Sequence, residues 1–158
     1  MLEFNSKGLL VPNTNIISSI EELKEVFVDG ISSKTRLDIF NKYLAYSDAL
    51  KRLLEVKELR QWVNGSFVTK VANPKDIDLV TFVDYNLIQA NEQKIETFNN
   101  YSKKDAMLDV YIVPVYPKEH PHEFYYISDV AEWMGKFDKT RRDKKGVKNN
   151  KGFLEIIY

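Results

Sequence analysis

Apolar residues recur along this chain with two different periods, and the alternation between them predicts an α+β unit. After Ser32-Ser33, the positions Leu37, Phe40, Leu44, Ser47, Leu50 and Leu54 return every three or four residues. That spacing predicts a long helix capped by Ser32 or Ser33, with its stripe laid over one face of a sheet. Ser18 or Ser19 predicts an earlier cap for a short helix to about Phe27, with Glu21 and Glu22 in the favourable first turn. A weaker helical pattern runs from Asn86 to Asn100, and Ser128 predicts the cap of a last helix over Val130 to Phe137. Strand signals of β-branched and aromatic residues occupy Gln61 to Asn64, Ile77 to Val83, Leu108 to Val113 and Gly152 to Tyr158. Pro114 and Pro117 are expected to end the third of these and open a loop through His120-Pro121-His122. The expected fold class is α/β (α+β), a mixed β-sheet flanked by helices in one domain over residues 1–158.

Chemistry concentrates between the first two strong strands. Gly65-Ser66 is followed, after nine residues, by Asp76-Ile77-Asp78. Side chains two apart on a strand share a face, so Asp76 and Asp78 aim together while Ile77 and Leu79 turn into the core. Two adjacent carboxylates repel, and a divalent cation removes that cost. Magnesium takes oxygen ligands and keeps positions for water and substrate phosphate, which suits so sparse a site. Asp109, at the head of the Leu108 strand, is the third carboxylate that a two-metal arrangement requires. Gly65 lets backbone approach a phosphate, Ser66 adds a hydroxyl, Thr69 is a further donor, and Lys70 and Lys75 flank the gap as cations or as ordinary loop lysines.

These residues together resemble the signature of the polymerase-beta-type nucleotidyltransferase superfamily. More narrowly, the chain from about Gly8 onward resembles a small bacterial family related to minimal nucleotidyltransferases and abortive-infection toxins. The marks are Gly65-Ser66-Phe67-Val68-Thr69, Pro74-Lys75-Asp76-Ile77-Asp78, His120-Pro121, Trp133, Arg141 and Lys151-Gly152. The resemblance implies a minimal nucleotidyltransferase fold and transfer of a nucleoside monophosphate from an NTP (ATP among them) to an acceptor hydroxyl, with two Mg2+ ions on Asp76, Asp78 and Asp109. It implies an RNA acceptor, a tRNA 3′ end first of all, in a toxin–antitoxin or phage-defence setting. AMPylation of a cognate toxin or antitoxin protein is the alternative enzyme reading, and a nucleotide- or RNA-binding module without turnover the alternative outside enzymes. A small-molecule acceptor of the aminoglycoside type is a further option.

Composition narrows the setting. A chain of 158 residues is one domain by size, and it holds no cysteine, so thiolate chemistry and disulfides are excluded. The N-terminus lacks the basic start and apolar run of a signal peptide and no segment reaches membrane-spanning length, so a cytoplasmic, soluble protein without membrane partner is expected. The 23 Lys and Arg balance the 23 Asp and Glu, yet residues 136–151 hold eight basic residues against Asp138 and Asp143. Within that block Lys139, Arg141, Arg142, Lys144 and Lys145 are the candidates for an RNA acceptor, against the plainer reading of a solvated loop. Arg141 also suits a structural cation stacked on the last helix. His120 and His122 are too few for a zinc site and read as structural or as nucleotide neighbours. Phe124-Tyr125-Tyr126 and Trp133 offer base stacking, with core packing of the last helix the simpler account.

Overall fold

The computed structural model describes residues 1–158. Its five-stranded mixed sheet is assembled from β3 (Asn15–Ser18), β4 (Arg60–Asn64), β5 (Ile77–Asp84), β6 (Leu108–Val115) and β7 (Phe153–Ile157), in the order β3-β7-β4-β5-β6. β3 and β7 are parallel, β7 and β4 antiparallel, β4 and β5 antiparallel, β5 and β6 parallel. A separate two-stranded hairpin of β1 (Glu3–Phe4) and β2 (Leu10–Val11) precedes it. Of these, β1, β2 and β3 carry too few residues to leave an alternating signal in sequence.

The long helix is α2 (Lys34–Leu54), with the Ser33 hydroxyl accepting from the Arg36 amide at 3.4 Å. It ends where Glu55 turns left-handed, and Lys51 and Arg52 sit in its last turn, where cations suit the helix dipole. Its buried side is rotated from the expected stripe. Ile39, Phe40, Tyr43, Tyr46, Leu50 and Leu54 face the core, whereas Leu37 stays exposed and Arg36 is buried in its place. The earlier helix is α1 (Ile20–Lys24), capped by Ser19 and continued by one π-helical turn, Glu25–Asp29.

Three boundaries differ from the sequence expectation. The Asn86–Asn100 helix is two, α3 (Tyr85–Ala90) and α4 (Glu92–Ser102), broken where the Asn91 side-chain amide donates to the Leu87 carbonyl at 3.0 Å. β6 runs on through Pro114 to Val115 because it is an edge strand, and an edge tolerates a residue without an N–H. The last helix, α5 (Glu123–Phe137), begins before Ser128. Its packing stripe of Tyr126, Val130, Trp133, Met134 and Phe137 starts two residues before that serine, so tertiary contact overrides the local cap.

Helices cover both faces of the sheet. On one, Val63, Ile77, Leu79, Val83, Val110, Leu154 and Ile156 pack with the α1, α2 and α4 side chains. On the other, Trp62, Val80, Phe82, Val113 and Phe153 pack beneath α5. The alternation along β5 therefore sends Ile77 and Leu79 to the α2 side and leaves Asp78 on the α5 side.

Arg36 ties α2 to the loop that follows β4. Its side chain is fully buried, and no carboxylate pairs with it. The guanidinium donates instead to backbone carbonyls: Phe27 at 3.1 Å, Phe67 at 2.7 Å, Thr69 at 2.7 Å, and Val71 both from Nε at 3.1 Å and from a terminal nitrogen. It also lies 5.4 Å from the Phe67 ring centroid. Burial pushes its pKa down to about 10, which leaves it charged at neutral pH. Lysine retains the charge but not the planar fork, so Arg36→Lys is expected to lower unfolding free energy by about 3 kcal/mol, read from urea titration. A loss below about 0.5 kcal/mol would show that the carbonyls find other partners.

Candidate active site

Strand register, rather than proximity in sequence, brings the acidic residues to one end of the sheet. In the parallel β5–β6 pair Asp78 lies opposite Asp109, and in the antiparallel β4–β5 pair Asn64 lies opposite Asp78. The Gly65 turn thus leaves β4 beside the start of β5, with Asp76 just ahead of that strand. Gly65 adopts φ +86°, and a Cβ there would sit 3.1 Å from the Asp78 amide nitrogen and 3.3 Å from the Asp76 carbonyl oxygen. Both the conformation and the contact call for glycine. The following residues form turns and no helix, and their shape comes from Arg36. The Ser66 hydroxyl accepts from the Lys75 amide at 3.4 Å, closing the loop toward Asp76.

Asp78 is the most perturbed carboxylate of the site. Its side chain is 14% exposed and its Oδ1 is buried without a hydrogen-bond partner. Burial, then the Asp76 charge, pushes its pKa up to about 6, with Asp109 adding and with Arg141 and Lys151 opposing. The Arg141 guanidinium reaches within 3.7 Å of Asp78 Oδ1 and 4.0 Å of Asp109 Oδ2, from a side chain that is 80% exposed. Arg141 therefore turns to the carboxylates and not to the aromatic rings of α5. Lys151 is only 4% exposed and donates from Nζ to the Gly65 carbonyl at 2.9 Å. Burial pushes its pKa down to about 8, against the pull of Asp78. Burial and the neighbouring Asp109 likewise raise the Tyr111 phenol.

A cleft of about 780 Å³ opens over these groups. Gly65, Ser66, Thr69, Lys75, Asp76, Asp78, Asp109, Lys139 and Arg141 all line it. Lys70 does not: its ammonium lies 4.2 Å from the centroid of the Phe4 ring. Thr69 lines the cleft but donates its hydroxyl to the Ser66 carbonyl at 2.7 Å, so it shapes the turn. Arg142, Lys144 and Lys145 lie outside the cleft lining. The basic segment is ordered as an irregular hairpin: Lys139 bridges Asn150, the Thr140 amide donates to Asn149, and Asp143 accepts from the Lys145 and Val147 amides across the turn. That turn carries Arg142, Lys144 and Lys145 away from the carboxylates.

Asn64, Tyr111 and Lys148 also line the cleft and were given no site role from sequence, while Trp133, a base-stacking candidate, and Lys151, one of the marks of the resemblance, line it too. Tyr111 was legible, because it stands two residues beyond Asp109 on the same strand face. Trp133 packs on Tyr111 with ring centroids 4.4 Å apart, joining the core beneath α5 to the cleft wall. The histidines lie elsewhere. His120 stacks on Tyr116 with centroids 5.0 Å apart and packs on Tyr85 at 4.6 Å, and His122 lies 5.5 Å from Tyr116. That cluster sits past Val115, at the opposite end of β6 from Asp109 and about 20 Å along the strand. The two are a structural pair, remote from any nucleotide in the cleft. Phe124 and Tyr125 are exposed, while Tyr126 joins the core.

The donor set suits magnesium: three carboxylates and no nitrogen or sulfur ligand, with an unpartnered buried oxygen on Asp78. No group of three or more His, Cys, Asp or Glu is drawn up to metal-ligating geometry, and Arg141 supplies the nearby positive charge.

The raised pKa has a sign that can be checked. The folded state holds the Asp78 proton more tightly than the unfolded chain, so ionising this residue costs stability as pH rises from its ordinary 3.8 through about 6. Without added metal, Asp78→Asn is therefore expected to raise the melting temperature by about 5 °C at pH 8 and to change it little at pH 4. An equal shift at both pH values would assign the effect to packing.

No helix of the protein is long and apolar enough to cross a membrane. No curated protein and no solved structure matches the chain. One family model matches, over residues 2–157, so almost the whole of the fold just described lies within it. The chain accordingly belongs to the family described as a family of unknown function (DUF6932).

Proposed function

We propose that the cleft transfers a nucleoside monophosphate from a nucleoside triphosphate to an acceptor hydroxyl, with Asp76, Asp78 and Asp109 as the magnesium ligands. The observation that carries this reading is the register pairing of Asp78 with Asp109 beside a turn that only glycine fits. Bound there, magnesium supplies charge to activate the attacking oxygen and to steady the departing phosphate. The chain's own groups do the rest. In this reading Gly65 and Ser66 orient the β- and γ-phosphates, and Asp109 takes the proton of the acceptor hydroxyl. A bond forms between the acceptor oxygen and the α-phosphorus, the α–β bridging bond breaks, and pyrophosphate leaves. The exposed contact of Arg141 with the carboxylates is a weak one, readily given up to a cation and its phosphates.

The acceptor in this reading is RNA. Lys139, Arg141 and Lys148 line the cleft on the hairpin side, and fixed cations in a groove attract a phosphate backbone.

Labelled NTPs incubated with RNA and with total protein test the reaction. Asp76→Ala and Asp78→Ala are expected to lose transfer and to weaken magnesium-dependent NTP binding, while Asp109→Ala keeps most of the affinity and loses the chemical step, read by calorimetry beside turnover. Near-normal turnover by any of the three sinks the metal assignment, and label in a polypeptide moves the acceptor to AMPylation. Replacing Lys139, Arg141 and Lys148 by glutamine is expected to weaken RNA binding and to flatten its salt slope by about one unit per lost phosphate contact. The same change at Arg142, Lys144 and Lys145 has the smaller effect. The reverse ranking would put the RNA outside the cleft.

A further inference from the structure

The cleft contains a cation that the nucleotidyl-transfer scheme above does not use. Lys151 is 4% exposed, lines the cleft, and makes one side-chain hydrogen bond, to the Gly65 carbonyl at 2.9 Å. An ammonium carries three N–H donors, so two remain for other partners. No carboxylate lies within 4.0 Å of it. A buried lysine without a counter-ion is costly, and the backbone holds this one in place. The residue after it, Gly152, is fixed because a Cβ would come 2.4 Å from the Pro12 carbonyl oxygen. The Lys151 amide itself donates to the Asp138 carbonyl at 2.9 Å. Of the other two lysines that sequence offered for this role, Lys70 lies against Phe4, and Lys75 lines the cleft but is exposed at the loop end.

We infer that Lys151 is the anion anchor of the cleft, binding non-bridging oxygens of a polyphosphate chain through its two remaining N–H groups while the third keeps the Gly65 turn in place. The inference rests on the nucleotidyl-transfer reading for its ligand, a nucleoside triphosphate, and on the geometry alone for its chemistry. In it, the anchor is bonded to the Gly65 turn and feels the Asp78 charge, so the triphosphate is held at the turn by a fixed cation.

Inorganic tripolyphosphate is the probe, because it has no base and undergoes no transfer. Calorimetric titration in magnesium buffer is expected to show binding by the parent protein and a ten- to hundred-fold weaker affinity, order of magnitude, for Lys151→Met. Lys57→Met, remote from the cleft, serves as the control and is expected to bind as the parent does. Parent-like binding by a folded Lys151→Met protein overturns the inference, as does a parent that binds no tripolyphosphate. Should Lys151→Met fail to fold, the lysine side-chain NMR signal of the parent decides. A shift of the Lys151 resonance on adding tripolyphosphate supports the anchor, and an unmoved resonance at saturation overturns it. A protein that binds tripolyphosphate through Lys151 but labels no acceptor would refute the transfer reading and leave the anchor standing.

Discussion

The buried guanidinium of Arg36 is the interaction on which the site geometry depends. It reaches from the first turn of α2 and satisfies carbonyls of Phe27, Phe67, Thr69 and Val71 at once. A loop of this kind, without helix or strand, has no repeating ladder to hold it, and its carbonyls would otherwise need water. One planar cation replaces that ladder. Because the same loop begins at Gly65 and Ser66, the long helix and the turn are positioned as a unit.

Lys151 meets the other end of that loop at the Gly65 carbonyl. The turn is thus held by two buried cations, both bonded to backbone and neither neutralised by a carboxylate. Across from them, Asp76, Asp78 and Asp109 are gathered, and the exposed Arg141 and the buried Lys151 offset the charge on Asp78. No carboxylate lies within 4.0 Å of the Lys151 ammonium, although the Asp78 charge still acts on it. Three carboxylates and a buried lysine thus line one cleft.

The parts legible in sequence are those whose signal is local. Asp76 and Asp78 alternate with buried Ile77 and Leu79, and the Asp109 strand has its own β-branched run, so their faces followed from the period alone. Arg36 was hidden because an arginine beside Leu37 on a helix reads as solvent-facing, and only the loop carbonyls reverse the two. Lys151 was hidden inside a run of basic residues whose composition says nothing of which member is buried. Composition likewise grouped Arg142, Lys144 and Lys145 with Lys139 and Arg141, and the turn at Asp143 separates them. The short strands β1, β2 and β3 gained their structure from partners distant in the chain, as β3 does from β7.

Pro114 shows what the open side of this sheet excludes. β6 has no neighbour beyond it, and a free strand edge invites pairing with another chain. A residue with no amide hydrogen interrupts the row of donors such a visitor would need, at the end of the strand away from Asp109. Strand addition is thereby blocked at the Pro114 end of this edge alone, and the amides nearer Asp109 keep their hydrogens.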